Sequence, residues 1–280
     1  MRRLLIVLPL AALAGCTALY FQPTEKEYAR PEEFRLKYEP VRFSSLDGTK
    51  LTGLFLYAST APVLGTVIQF HGNAENMTSH FLYSAWLTAK GYNVFAFDYR
   101  GYGASEGTPT EKGCVEDGVA AVDYVMGRKD ADPGRVAVWG QSLGGAIAAA
   151  ALGMRKGPAV RALILESCFD SYRDMAAEAL SRSWVTWAFH WPLSRLLISD
   201  ARKPAKYLKR LPPCPVLVVQ SSADEVVPYR FGERIFSELP EPKEILRAEG
   251  ARHMEIFGKY GAVYRPRLTR FLERAMPSPK

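Results

Sequence analysis

"VAVWGQSLGGAIAAA", residues 136–150, sets a single serine between glycines where an apolar run gives way to an alanine-rich one. The first part, short and rich in valine, reads as a buried strand; the second has the composition of a helix. Gly140-Gln141-Ser142-Leu143-Gly144 fits G-x-S-x-G in the strand–turn–helix setting of a nucleophile elbow. At so sharp a corner strand and helix nearly touch, so Gly140 and Gly144 carry no side chain. The turn projects Ser142 above the carboxyl edge of the sheet, beside the unpaired N–H groups and positive end of the helix.

Serine at its ordinary acidity is a poor nucleophile. It needs a base within hydrogen-bond reach and a group that orients the base. The chain has four histidines, His71, His80, His190 and His253. With this elbow the expected order is serine, acid, histidine, the histidine following the last strand. His253 in "EGARHMEIF" comes directly after "KEILRA" and meets that order. Asp224, in "VVQSSADEVVP", lies in the loop after the strand "PVLVVQ", at the edge where such sheets gather their sites. A buried aspartate there would fix the imidazole tautomer and stabilise the imidazolium. Glu225 is expected to point away, and Asp170 is the alternative acid. An oxyanion needs a second donor besides the Leu143 N–H, and the Asn73 N–H in "FHGNAEN" occupies the loop that supplies it. His71 reads as a structural part of that loop, His80 as a helix-face residue and His190 as part of an insertion. No metal and no organic cofactor is implied.

Around the elbow, "GTVIQFHG", "YNVFAFDYRGYG", "RALILES" and "PVLVVQ" contain apolar runs too short for helices. They alternate with helical stretches over about 79–90, 116–126 and 260–274. That alternation indicates an α/β fold, with a mostly parallel central sheet flanked by helices on both faces. "EPVRFSSLDGTKLTGLFLY" adds an antiparallel pair turning at Asp47-Gly48, so one domain is expected over 39–280. A small helical cap-like insertion, about 171–210, interrupts the alternation. It holds Trp184, Trp187, Phe189 and Trp191. Two readings of it stand: a helix pair packed on the sheet, or a cap whose aromatic lining at the mouth of the site favours acyl groups.

The first residues, "MRRLLIVLPLAALAGC", join two arginines to an apolar stretch and then to small residues before Cys16. The stretch is shorter than the roughly 20 residues a membrane-spanning helix needs, so residues 1–15 read as a signal peptide. "LAGC" resembles the lipobox of bacterial lipoproteins, which implies lipidation of Cys16 and cleavage before it. Thr17, not aspartate, then implies the periplasmic face of the outer membrane in a cell envelope with two membranes. Polar residues interrupted by Pro23 and Pro31 read as a tether over 16–38. The formal charge is +7, scattered, with no stripe of Lys and Arg interleaved with aromatics. This pattern argues against nucleic acid and suits an anionic membrane surface. Cys114, Cys168 and Cys214 are widely spaced and read as small buried hydrophobes.

The blocks "FHGNAENM", "FDYRGYGASEGTPTE", "GQSLGG", "SSADEVVP" and "GARH", in this order, resemble the α/β-hydrolase superfamily over nearly all of residues 39–275. Within it they resemble a serine-aminopeptidase-like branch that includes bacterial hydrolases and eukaryotic membrane-associated protein depalmitoylases. The resemblance implies that "DYRGYG", with Asp98 and Arg100, supports the active-site loop. It leaves the substrate open, because this fold hosts many chemistries. The expected activity is hydrolysis of carboxylic esters or thioesters through an acyl-enzyme, with Ser142, Asp224 and His253 as triad and Leu143 and Asn73 as oxyanion donors. A serine peptidase or amidase is one alternative. A non-catalytic envelope-binding lipoprotein on a hydrolase scaffold is another. The implied partners are a small-molecule or acyl substrate and, through Cys16, a membrane.

Overall fold

The computed structural model describes residues 21–277. The signal peptide over 1–15 and Cys16 lie outside the described residues. The chain runs β1 (Gln22–Pro23), β2 (Tyr38–Ser44), β3 (Lys50–Leu56), β4 (Gly65–Phe70), β5 (Ala74–Glu75), α1 (Met77–Ser84) and β6 (Tyr92–Phe97). It continues with α2 (Glu111–Met126), β7 (Val136–Gln141), α3 (Leu143–Met154), β8 (Ala162–Glu166), α4 (Tyr172–Ser181), α5 (His190–Leu197) and α6 (Ala205–Leu208). β9 (Val216–Ser221), α7 (Tyr229–Glu238), β10 (Lys243–Ala248) and α8 (Gly261–Ala275) complete it.

Eight of these strands form one sheet in the order β10-β9-β8-β7-β4-β6-β3-β2. All neighbours are parallel except β2 with β3 and β3 with β6, the antiparallel lead-in. The turn between β2 and β3 passes through Gly48 at φ 90, a left-handed conformation that glycine adopts without strain. Side chains along a strand alternate between faces, and this divides the core. Val136 and Val138 of β7 join one buried cluster with α2 and α3; Ala137 and Trp139 join the other, with α1 and α8. Both faces are covered, so the central strands can be apolar throughout.

Two boundaries move. Helix α2 begins at Glu111, about a turn earlier than the 116–126 reading, because the Thr110 hydroxyl caps it by accepting the Gly113 N–H at 3.0 Å. The tether reading over 16–38 is corrected from Phe21 onward. Phe21 and Ala29 are buried, β1 pairs in parallel with β5, and residues 31–34 form a 3-10 turn. Polar residues hold this segment where apolar ones are few. Asn76 Nδ2 donates to the carbonyls of Thr24 and Lys26, each at 2.8 Å, while its Oδ1 caps α1 by accepting the Thr78 N–H. Residues 21–38 therefore belong to the packed domain expected to begin at 39.

Candidate active site

Strand β7 ends against its neighbours and α3 begins at once, leaving Ser142 to make the whole corner at φ 53, ψ −120. A non-glycine residue there carries strain of about 1–3 kcal/mol. Two backbone bonds hold it, Ser142 N–H to Glu166 O at 2.8 Å and Gly145 N–H to Ser142 O at 3.0 Å. The corner admits no bulk: a Cβ on Gly144 would stand 2.1 Å from Phe70 O, and one on Gly140 would stand 2.6 Å from Gly145 Cα. A serine preceding a helix ordinarily turns its hydroxyl back to cap the helix. Ser142 makes no such cap, so its Oγ is free for another partner.

That partner is His253. Ser142 Oγ and His253 Nε2 are 3.2 Å apart, and His253 Nδ1 lies 2.9 Å from Asp224 Oδ2 and 3.0 Å from Oδ1. With Nδ1–H donating to the carboxylate, Nε2 is left as the acceptor for the serine hydroxyl. Asp224 is itself fixed, its Oδ1 accepting the N–H groups of Val226 at 3.0 Å and Val227 at 2.8 Å. Burial works against its charge, but the His253 hydrogen bond and charge and the Val227 amide outweigh it, holding the carboxyl below its ordinary range. Three residues spread over 111 positions of the chain thus meet at the carboxyl edge of β7, β9 and β10.

Glu225 is not turned away from this loop: it accepts the His253 backbone N–H at 3.2 Å and pairs with Arg252 at 2.8 Å. It contributes to holding the histidine's main chain and leaves the ring to Asp224. Asp170, the alternative acid, is bound to Arg234, Nε donating to Oδ2 at 3.0 Å. His71 is buried with Nε2 3.4 Å from Asp98, whose Oδ1 also accepts the Met77 N–H at 2.7 Å. Arg100 is held by Asp117 and Asp47, with contacts of 2.7 and 2.8 Å. His80 donates Nε2–H to Ala74 O at 2.9 Å, and burial, with His71 nearby, pushes its imidazole down to about 3, so it stays neutral. His190 is on the insertion, its Nδ1 on Trp187 O. Cys114, Cys168 and Cys214 are buried and free of disulfides. Among the described residues no group of three or more His, Cys, Asp or Glu is placed to hold a metal ion.

A cavity of about 320 Å³ opens over Ser142, lined also by Asn73 and Leu143. The Leu143 N–H is the first of α3 and has no acceptor inside the helix. Asn73 is fixed from two sides: Tyr102 Oη–H donates to its carbonyl at 2.8 Å, and its Oδ1 accepts the Gln22 N–H at 3.0 Å. The roof comes from the 171–210 insertion, but not from its aromatic residues. Met175, Ala176, Ala179 and Leu180 of α4, Leu197 at the end of α5 and Ile198 just after it form the wall. Trp184, Trp187, Phe189 and Trp191 are exposed instead, which corrects the expectation of an aromatic lining.

Sequence reading missed two contributors. One is Gln22, placed in a supposed tether. The other is a buried polar chain under the elbow: Trp139 Nε1 and Gln141 Nε2 donate to Glu166 Oε2 at 3.0 and 2.8 Å, Gln69 Nε2 donates to Gln141 Oε1 at 2.7 Å, and Ser84 Oγ donates to Gln69 Oε1 at 2.7 Å. A glutamine or glutamate inside an otherwise apolar strand was the available signal, since buried polar groups are kept only with partners. Burial pushes the Glu166 carboxyl up to about 7 against these hydrogen bonds.

The comparison with known proteins agrees with this architecture. The family model described as serine aminopeptidase S33 matches residues 61–212. The uncharacterized protein YfhR of Escherichia coli K12 is 34% identical over 261 residues, covering 92% of this chain and 87% of that one. The alpha/beta hydrolase domain-containing protein WAV2 of Arabidopsis thaliana is 32% identical over 254 residues, covering 88% and 82%. An esterase of Pyrococcus furiosus superposes with a TM-score of 0.75 at 22% identity, over 92% of this chain and 98% of that one, a likeness of fold. The chain belongs to the serine aminopeptidase S33 family of α/β-hydrolases.

Proposed function

We propose that this hydrolase cleaves carboxylic esters or thioesters through an acyl-enzyme on Ser142. The observation that carries the reading is the relay from Ser142 Oγ to His253 Nε2 at 3.2 Å and from His253 Nδ1 to Asp224 at 2.9 Å. His253 takes the hydroxyl proton as Oγ attacks the acyl carbon, and Asp224 stabilises the imidazolium that results. The carbonyl oxygen becomes an oxyanion that accepts the N–H groups of Leu143 and Asn73. Collapse breaks the bond to the alcohol or thiol, which leaves with the proton from His253. Water, deprotonated by His253, then attacks the acyl carbon, and Ser142 recovers its proton as the acid departs.

The cavity wall favours esters and thioesters over an aminopeptidase substrate. Among the described residues lining it there is no acidic side chain to receive an α-ammonium group, and the wall beside Ser142 is apolar, Phe169 standing among mostly aliphatic residues. Catalysis is favoured over a retired scaffold because every partner the relay needs is present. Labelling with a fluorophosphonate tests this: mass spectrometry should find the adduct on Ser142, and Ser142→Ala should abolish both label and esterase activity. A labelled site other than Ser142, or full activity without it, would end the reading. For the leader, we propose that Cys16 carries a lipid anchor and that the protein sits on the periplasmic face of the outer membrane. Metabolic labelling with radioactive palmitate, lost in Cys16→Ala, is the check.

A further inference from the structure

Between α4 and α5 and along α5 itself the chain presents an apolar surface outward. Of thirteen exposed large hydrophobic residues among the described ones, six lie here: Trp184, Val185, Trp187, Phe189, Trp191 and Leu196. Scattered exposure of single apolar residues is ordinary, but such a concentration marks an interaction surface. Trp184 is 92% exposed, so its ring packs on almost nothing among the described residues. None of the six lines the catalytic cavity, whose wall uses other residues of the same helices.

The chemistry of the patch selects its partner. Three of the six are tryptophans, and residues 182–197 include no acidic residue; Arg195 is the cation of the patch, since Arg182 is paired with Glu178 at 3.1 Å. Tryptophan concentrates in the headgroup layer of bilayers, where one side of its ring is apolar and the indole N–H stays wet. Arginine adds attraction to anionic headgroups and reaches them from a buried stem. The Arg195 guanidinium lies 5.7 Å from the centre of the Trp191 ring, so cation and aromatic share one surface.

The placement of the patch matters as much as its composition. Arg182 donates to the carbonyls of Glu225 and Val226, the latter at 3.2 Å, fastening the segment to the loop that carries Asp224. Gln22, at the start of the described chain, is bonded to Asn73 at 3.0 Å. Asn73 and Val226 line the same cavity. From Phe21, five peptide steps lead back to Cys16, a span of at most about 18 Å when extended. A lipid on Cys16 and the aromatic segment would thus both act beside the Ser142 cavity.

We propose that residues 184–196 dock into the headgroup layer of an anionic bilayer and hold the opening of the Ser142 cavity toward it, so that acyl substrates enter from the membrane. The substrate half rests on the serine-hydrolase reading; the docking half does not. The test reconstitutes the full chain in phosphatidylethanolamine and phosphatidylglycerol vesicles doped with phosphatidylcholine brominated on its acyl chains. Native tryptophan fluorescence should be quenched. In a W184S/W187S/F189S/W191S variant, quenching should be lost while buried Trp139 still emits. The same variant should hydrolyse a soluble short-chain ester normally and a vesicle-borne ester several-fold more slowly. Absence of quenching in the native chain, quenching that survives the substitutions, or a lipid-free dimer that the substitutions dissociate would each overturn the docking. Fluorophosphonate labelling in parallel separates the two halves: quenching without labelling would refute the hydrolase reading and leave docking intact.

Discussion

The backbone N–H of Gln22 donates to Asn73 Oδ1 at 3.0 Å, so a residue ahead of the central sheet is bonded directly to the rim of the catalytic cavity. Asn73 Oδ1 would therefore act as a positioning atom for the N–H that the proposed mechanism assigns to the oxyanion. Asn73→Ala keeps the N–H but frees the loop from Gln22. We expect kcat on a soluble ester to fall about tenfold, less than the roughly 10²–10³ that follows loss of an oxyanion donor. KM should move little. Unchanged kcat would show that the bond to Gln22 has no part in holding the donor.

Asp224→Asn tests the relay without disturbing its surroundings. An amide oxygen can still accept the N–H groups of Val226 and Val227, so the loop should keep its shape. What is lost is the charge that holds His253 with Nδ1 protonated. By the magnitude seen for such a change elsewhere, kcat should drop about 10⁴-fold with thermal unfolding nearly unchanged. A loss of only a few-fold would mean that another carboxylate orients the imidazole.

The elbow should also govern folding. A Cβ at Gly144 would meet the Phe70 carbonyl at 2.1 Å, a backbone atom that cannot move without breaking β4 away from its neighbours. Gly144→Ala is expected to destabilise by more than about 3 kcal/mol, in the range of severe core overpacking. Urea unfolding would reveal it, and a midpoint close to the native one would contradict the close approach.

Why the elbow was legible and the N-terminal segment was not has a physical answer. Gly140, Ser142 and Gly144 are constrained by steric contact within a few residues, so local sequence carries the information. The relay was legible because Asp224 follows the unbroken apolar run of PVLVVQ, and His253 follows KEILRA, a less apolar strand, at the place where the serine–acid–histidine order puts the base. Residues 21–37 are different: their polar composition resembles a tether, and their binding depends on Asn76, some fifty positions away, donating to Thr24 and Lys26. The insertion fails for a related reason. Its tryptophans are visible in the sequence, but whether they face the cavity or solvent depends on how α4 and α5 pack. The aliphatic wall of Ala176, Ala179 and Leu180 carried no comparable signal.

Glu166 gives a pH prediction. Burial raises its carboxyl from an ordinary 4.5 to about 7, so the folded state holds a proton that the unfolded chain has released. Its contribution is fully present below about pH 4.5 and is lost as pH rises through about 7, a loss on the order of 3 kcal/mol. Glu166→Gln removes the titration and retains an oxygen for Trp139 and Gln141. Relative to the native chain, the variant should gain stability between pH 5 and pH 8 in urea titrations. Parallel stability curves for the two proteins would place the Glu166 proton elsewhere.

The cavity wall sets which acyl groups fit. Ala179 of α4 contributes a small side chain to a space of about 320 Å³ over Ser142. Ala179→Trp should fill much of that space while leaving Ser142, His253 and Asp224 untouched. An acetyl group needs only the volume beside Oγ, so its rate should change little. Each methylene that the native wall buries contributes about 0.8 kcal/mol, roughly fourfold in kcat/KM, and the variant should forfeit that gain for longer chains. Rates across p-nitrophenyl esters from acetyl to decanoyl would then rise with length in the native enzyme and flatten or fall in the variant. If both profiles are flat, the acyl group occupies some other surface and the aliphatic wall serves only to roof the site.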